Sequence, residues 1–351
     1  MYAISLNEQA FVARFMSTAR EADLVVVADT GSSDGTVAAL VAAGATVHHL
    51  SIKPWRFDDA RNAALALVPE DIDVCVVVDL DEVLTAGWRA SLEAEWGDAN
   101  RGKYLYTWSH HPDGSPAVTY TSDRIHSRHG YRWRHPCHET LYPDRIEQRN
   151  AHLSLELHHW PDATKPRSQY LELLEVAANE QPHDSRTAHY FGRELMFNGQ
   201  WARAVTELRR HVELPTSLWA AESAASMRFI GRCLSHLGQP DDALTWFRLA
   251  TTTSPETREP WVELAQACHD QQRWQECLDS ALAALEITDR PSIYINEASA
   301  WSELPDDLAS VAAWHVGLRD EALMHAQRAL TFAPDNQRIA DNVAFYTNSM
   351  G

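Results

Sequence analysis

The sequence predicts an α/β domain over residues 1–165 followed by an all-helical repeat array over residues 166–351, and three observations predict it. Apolar runs that end in small polar or acidic turns alternate with helical patterns up to about Glu82. Beyond residue 170 the texture becomes helical. Within that second part, small anchor residues recur at a near-regular spacing. Alternating strands and helices argue for a layered, mainly parallel sheet, and recurrence at 30–50 residues argues for stacked repeats.

The first strand runs directly into Asn7-Glu8. The second apolar run, LVVVADTGSSDGT over residues 24–36, passes into a glycine-containing polar turn. Ser32, Ser33, Asp34 and Thr36 are helix-capping types placed just before Val37-Ala38-Ala39-Leu40, so a helix is expected to begin there. Turn formation and capping alone are the plainer reading of Asp29 and Asp34. A third run, VCVVVDLDE over residues 74–82, is a buried-type strand that ends on three carboxylates. Strand alternation would put Asp79 and Asp81 on one face, with Leu80 packed away from them. Magnesium and manganese take oxygen ligands, often few carboxylates together with substrate phosphates, so both aspartates are candidate metal ligands. In open α/β sheets, ligands bind at the carboxyl ends of strands.

Four pieces in this order, the strand into Asn7-Glu8, DTGSSDGT, Phe57-Asp58-Asp59-Ala60-Arg61-Asn62 and DLDE, resemble the nucleotide-sugar glycosyltransferases of the GT-A fold, specifically the large, mostly inverting family 2. The resemblance implies a GT-A (Rossmann-like) mixed-sheet domain. It implies a nucleoside diphosphate sugar donor, with a uridine nucleotide (UDP) as the default, and Mn2+ or Mg2+ as cofactor. Asn7, Glu8, Asp29, Arg61 and Asp79 would then bind the donor, with Asp29 on the base, Arg61 near the nucleotide and Asp79 at the ribose. Asp81 would hold the metal.

Residues 124–138 carry Arg124, His126, Arg128, His129, Arg132, Arg134, His135 and His138 with no acidic residue among them, a local basic run in an acidic chain. The run ends in RHPCHE, and its His138-Glu139 pair resembles the acceptor-side acid motif of GT-A enzymes. Glu139 is therefore the candidate general base, a carboxylate placed to take the acceptor proton. The plainer reading is a salt bridge to a neighbouring arginine. In LSLELHHW over residues 153–160, alternating Leu153, Leu155 and Leu157 predict a half-buried strand with His158 and His159 at its end. By parity His159 shares a face with Leu157. Imidazole ligates metals, and the resemblance implies that one of this pair completes the metal shell without saying which; end-of-strand hydrogen bonding is the alternative. Lys165 and Arg167 follow and would meet phosphate or solvent. Trp55, Trp108 and Trp133 would stack on sugar or base, or pack at the core and rim.

In the second part, Ala204, Ala243, Cys277 and Ala322 anchor units separated by 39, 34 and 45 residues, and 34 is the tetratricopeptide period. Gly192, Gly231 and Ala265 lie twelve residues before their anchors, and Ala250, Ala284 and Ala329 lie seven after. Small residues there let paired helices approach closely. Three to four hairpins stacking into a short solenoid are expected, closed by a helix over residues 335–351. Such arrays serve scaffolding, dimerisation or acceptor binding alike.

The chain has 351 residues, 45% of them hydrophobic, and a formal net charge of -19, which fits a two-part enzyme and argues against broad affinity for nucleic acid. No apolar run approaches the ~20 residues of a membrane span. Five cysteines without a CxxC pair fit a reducing cytoplasm and no zinc site. The acceptor stays open. A peptide or protein gripped by the repeats is one candidate. A hydroxymethylated DNA base, with residues 124–138 on its phosphates, is a second, and glycan or lipid-linked acceptors remain. The rival class is a noncatalytic adaptor, a decayed transferase domain that serves as a platform for the repeats.

Overall fold

A computed structural model describes residues 1–161 and 169–350. Lys165, Arg167 and the domain boundary expected at 165/166 lie outside the described residues. The chain divides into two compact units, Met1–Ala177 with Ser292–Tyr294, and Ala178–Pro291 with Ile295–Gly351.

The first unit is built on a parallel sheet, a mixed sheet and a small two-stranded one. Strands β1 (Tyr2–Ser5), β2 (Val26–Asp29) and β3 (Thr46–His49) pair in parallel, with α1 (Val12–Ala19) and α2 (Thr36–Ala42) as the crossovers. In α1, Val12, Phe15, Met16 and Ala19 are buried, the i, i+3, i+4, i+7 stripe of a helix packed on a sheet. Helix α3 (Phe57–Leu67) leads to β4 (Val74–Val76), and β5 (Glu82–Leu84) and α4 (Trp88–Glu95) follow. Then come β6 (Arg101–His110), β7 (Pro116–Ser127), β8 (Tyr131–Arg134), β9 (Thr140–Pro143) and β10 (Asn150–His159). A second sheet has the order β4-β7-β6-β10-β5, and a parallel bridge from Tyr2 to Val77 joins it to β1. Buried strand residues alternate between two apolar clusters: Ala3, Val27, Val76 and Val78 face one, and Tyr2, Val26, Ala28, Cys75 and Val77 the other. Both faces are thus covered, which is why these strands read as continuous apolar runs.

The parallel half matches the expected alternation of strand and helix. The second sheet departs from it, because β7 runs antiparallel to both β4 and β6, and β5 runs antiparallel to β10. The cause is local: between β6 and β7, Ser115 donates its amide to Asp113 Oδ1 at 2.9 Å and His111 donates to the Ser115 carbonyl at 2.8 Å. A turn this short, on Pro112-Asp113-Gly114, can only fold the chain back on itself.

The second unit consists of helical hairpins. After α5 (Gln169–Glu180), which crosses the division between units, they are α6 (Ser185–Phe197) with α7 (Trp201–Glu213), α8 (Ala220–His236) with α9 (Pro240–Thr253), α10 (Arg258–Asp270) with α11 (Trp274–Glu286), and α12 (Leu304–His315) with α13 (Arg319–Phe332). Helix α14 (Gln337–Met350) closes the array. All four anchors are buried within the second helix of each pair. A Cβ on Gly192 would stand 2.6 Å from Leu208, and one on Gly231 2.6 Å from Phe247, so close helix approach requires glycine at both places. The uneven spacing has two sources. Helix α8 has 17 residues where α10 has 13, and a long insert separates α11 from α12.

Candidate functional site

The site lies where the carboxyl ends of β1, β2 and β10 meet the turn after β4. Two loops are first tied together. Asn7, in the left-handed region at φ 53, donates its amide to Ser32 Oγ and accepts the Ser33 amide on Oδ1 at 2.8 Å. The Glu8 amide donates to Thr36 Oγ1 at 2.7 Å, and Asp34 accepts the amides of Gln9 and Thr36. Asn7, Glu8 and Asp34 therefore build the rim. Asp29, expected on a nucleotide base, is only 1% exposed. Its Oδ1 accepts the amides of Gly31 and Ser32, and its Oδ2 accepts the hydroxyls of Ser5 and Ser32. Burial opposes its charge, but these donors outweigh that and hold its pKa below the usual carboxylate range. Asp29 thus organises the turn, with both oxygens engaged.

Below the rim is a buried charge network. Arg61, on α3 and 5% exposed, grips both oxygens of Asp79 at 2.9 and 3.0 Å and donates its Nε to Glu139 Oε1 at 2.5 Å. Its guanidinium lies 5.1 Å over the ring of Trp133. Arg124, on β7, reaches Asp79 Oδ2 at 3.1 Å and also donates to Glu82. Glu82, 2% exposed, accepts the Asp79 amide at 2.8 Å and the Tyr106 hydroxyl at 2.8 Å. Burial alone would raise the Asp79 pKa, yet two guanidinium groups drive it well below the ordinary carboxylate range. For Glu82 burial prevails over Arg124, and its pKa is raised. Glu139 is presented by a loop in which His135 and His138 have φ values of 79 and 52, left-handed conformations that cost non-glycine residues free energy and cluster at functional sites.

The expectation that Asp79 and Asp81 share one cleft face is corrected. Strand geometry ends before Asp79, and the Glu82 amide donates to the Asp79 carbonyl at 2.9 Å to close a turn. The two carboxylates consequently meet different partners. Asp79 is taken up by Arg61 and Arg124. Asp81 faces His159, Oδ2 to Nε2, at 3.4 Å. His159 shares the buried face of β10 with Leu157, and its Nδ1 lies 3.2 Å from the Trp108 carbonyl. A carbonyl only accepts, so Nδ1 carries a proton and Nε2 points at the carboxylate. Burial lowers the His159 pKa, but Asp81 outweighs it and the net direction is upward. His158 lies elsewhere, with Nδ1 3.0 Å from His110 Nε2 and Nε2 3.4 Å from Glu156. It is not brought to Asp81.

The basic run of residues 124–138 does not form one surface. Arg124 is turned inward onto Asp79 and Glu82, His126 is fully buried with Nε2 3.0 Å from the Tyr2 hydroxyl, and Arg128 donates to the carbonyls of Val68 and Pro69. Only Arg132 and Arg134 project outward from β8, alternating with buried Tyr131 and Trp133. A continuous phosphate contact along the run is therefore absent. Glu82 and Arg124 are the site members whose roles were missed; the signal was that two buried acids at a strand end require buried counter-charges. Arg14, on α1, was also missed. Its Nη2 donates to the Trp160 carbonyl at 3.1 Å, and the Trp160 amide donates to the Asp81 carbonyl at 2.8 Å.

The Asp81–His159 pair supplies one hard oxygen and one imidazole nitrogen, a donor set that fits Mn2+ or Mg2+ when substrate phosphate and water fill the other positions. Among the described residues no group of three or more His, Cys, Asp and Glu side chains is arranged to hold a metal ion. All five cysteines are buried, and among the described residues no disulfide joins them. No helix among the described residues is long and apolar enough to cross a membrane.

Fold and site together define a two-part chain: a mixed-sheet unit with a carboxylate and arginine site, and a unit of successive helical hairpins. No known family profile matches the sequence, and no curated protein matches it. Among solved structures the chain is similar to MamA from Desulfovibrio magneticus RS-1 at 14% identity, over 48% of this chain and 86% of that one, with a TM-score of 0.38. It is similar to TTC0263, a TPR protein of Thermus thermophilus, at 16% identity over 51% of this chain and 90% of that one, with a TM-score of 0.37. It is also similar to PilF of Pseudomonas aeruginosa at 12% identity over 51% of this chain and 72% of that one, with a TM-score of 0.40. These are helical-repeat proteins, and no transferase is among the three.

Proposed function

We propose that the sheet unit is a metal-dependent glycosyltransferase that moves a sugar from a nucleoside diphosphate sugar, with a UDP-sugar as the default donor, to an acceptor hydroxyl. The observation that carries this reading is the Asp81–His159 pair at 3.4 Å beside the Asp79, Glu82 and Glu139 network, at the carboxyl ends of the strands. Asp81 and His159 would hold Mn2+ or Mg2+. When bound, such a cation neutralises charge on the diphosphate leaving group. Arg61 fixes Asp79 and Glu139 in one arrangement, so that Glu139 is oriented to accept the acceptor proton as the sugar carbon is attacked. Glu139→Gln is expected to lower transfer by about 10²- to 10⁴-fold, the usual worth of a general base, while leaving nucleotide binding in place. Full turnover in that variant would remove Glu139 from the mechanism.

A second reading has its own observation. The four hairpins of the second unit form a repeat surface of the kind that holds protein partners, which supports an adaptor whose sheet unit no longer turns over. The two readings part on nucleotide release from a donor in the presence of metal, which an adaptor lacks.

A further inference from the structure

Two exposed tryptophans stand beside the Asp81–His159 pair. Trp108 is 40% exposed and Trp160 is 37% exposed, whereas the other tryptophans, tyrosines and phenylalanines described within Met1–Ala177 are buried or half-buried. They come from neighbouring, parallel strands: Trp108 is on β6, and Trp160 directly follows β10. Each ring is backed by a histidine. Trp108 stacks on His159 with centroids 4.5 Å apart and planes 25° apart, and Trp160 stacks on His110 at 3.7 Å and 6°. A contact of 3.0 Å links His110 to His158, which in turn lies 3.4 Å from Glu156. Rings held in this way lose little conformational freedom when a ligand stacks on them, so the surface is preorganised. Trp133, by contrast, is 1% exposed and serves as the floor under Arg61.

The chemistry of the surroundings selects the ligand. Aromatic faces with imidazole and carboxylate groups at their edges suit a neutral ring that has one apolar face and a rim of hydroxyl groups. A polyanionic strand would need several cations here, yet Arg61 and Arg124 are committed to Asp79, Glu82 and Glu139, and the charge of Arg14, which donates to the Trp160 carbonyl, is opposed by that of Asp81. Charge complementarity thus favours an uncharged partner over nucleic acid.

We propose, resting on the transferase reading above, that Trp108 and Trp160 form the acceptor subsite and that the acceptor is a saccharide. The test is calorimetric titration of the full chain with maltotetraose, cellotetraose and chitotetraose as probes, and separately with UDP plus Mn2+, in wild type, Trp160→Ala and Trp108→Phe. At least one oligosaccharide binds wild type, Trp160→Ala weakens it roughly tenfold, and Trp108→Phe, which keeps an aromatic face, retains most of the affinity. UDP binding that persists in Trp160→Ala shows that the variant is folded at the site. Binding of none of the three probes by wild type, equal affinity in Trp160→Ala, or preferential binding of a single-stranded oligonucleotide or a peptide would overturn the saccharide assignment. Absence of UDP binding in wild type, with saccharide binding still lost in Trp160→Ala, would leave a saccharide site and overturn its role as an acceptor subsite.

Discussion

Each unit sets a pair of arginines, one of them buried, against carboxylates, and the two clusters differ in ways that separate a reaction site from a structural clamp. In the sheet unit Arg61 and Arg124 face three acids, Asp79, Glu82 and Glu139. In the helical unit Arg228 and Arg232 face two, Glu263 and Glu297, at 2.5–3.1 Å. The helical cluster is balanced in charge. Its arginines and Glu263 stand on regular helices, with Glu297 supplied by the insert between α11 and α12. The sheet cluster carries an excess of negative charge, is fed by a loop with two left-handed histidines, and adjoins the Asp81–His159 pair. Buried ion pairs are weak testimony for function by themselves. Imbalance, strained backbone and an adjacent metal-type donor pair are what distinguish the first cluster.

The contrast is sharpened by removing one arginine from each. Arg61→Met leaves Asp79 and Glu139 without their main counter-charge in a buried site and is expected to destabilise the sheet unit by about 3–5 kcal/mol, the usual cost of breaking a buried pair. Arg228→Met should cost less, about 1–3 kcal/mol, because Glu263 and Glu297 both keep an ion pair with Arg232, whereas Glu139 loses its ion pair with Arg61. Urea unfolding followed by circular dichroism measures both. Equal losses would erase the distinction between the clusters.

Packing gives a test confined to the repeats. Gly231→Ala drives a methyl group into the Phe247 ring and is expected to cost about 1–3 kcal/mol by overpacking, whereas Gly238→Ala meets no atom within 4 Å and would lose stability only through its φ of 74°. A thermal melt that ranks Gly238→Ala as the worse variant would contradict the close-approach reading of the repeat positions.

The last effect emerges only as the pH is lowered. Burial lowers the pKa of His126 to about 4 and that of His189 to about 3. Both lie below the unfolded value, so the unfolded chain binds the proton first. Their contribution is complete above about pH 6.5 and is lost as pH falls toward those folded values. His159 has the opposite sign: its raised pKa adds stability at low pH that disappears as pH rises through the folded value. Acid unfolding monitored separately for the two units, with His126→Gln and His189→Gln, should show each unit gaining acid resistance only from its own substitution.

Much of the architecture was legible because it rests on periodicity. The apolar runs at residues 24–29 and 74–78 became sheet core, Leu153, Leu155 and Leu157 became the buried face of β10, and the small residues at Gly192, Gly231 and Ala265 became helix contacts. What could not be read was set by long-range pairing. That β7 would invert the sheet depended on a turn at residues 111–115 whose strands were not recognised. That Asp79 would be taken by Arg61 and Arg124, 18 and 45 residues away, depended on where α3 and β7 lie in space. Strand parity placed His159 correctly and failed for Asp81, because the chain had already turned. The basic run looked like a surface only because charge was counted along the chain, while β8 and the inward Arg124 send its members to different places.

The transferase account is tested most directly by release of nucleotide from a panel of nucleotide sugars with Mn2+ or Mg2+, comparing wild type with Asp81→Asn. Metal-dependent release by wild type that falls by about 10²-fold or more in Asp81→Asn is the predicted result, since one partner of the proposed metal pair is lost. No release across the panel, together with no UDP binding by calorimetry, would contradict the account and leave the repeats as the working part of the chain.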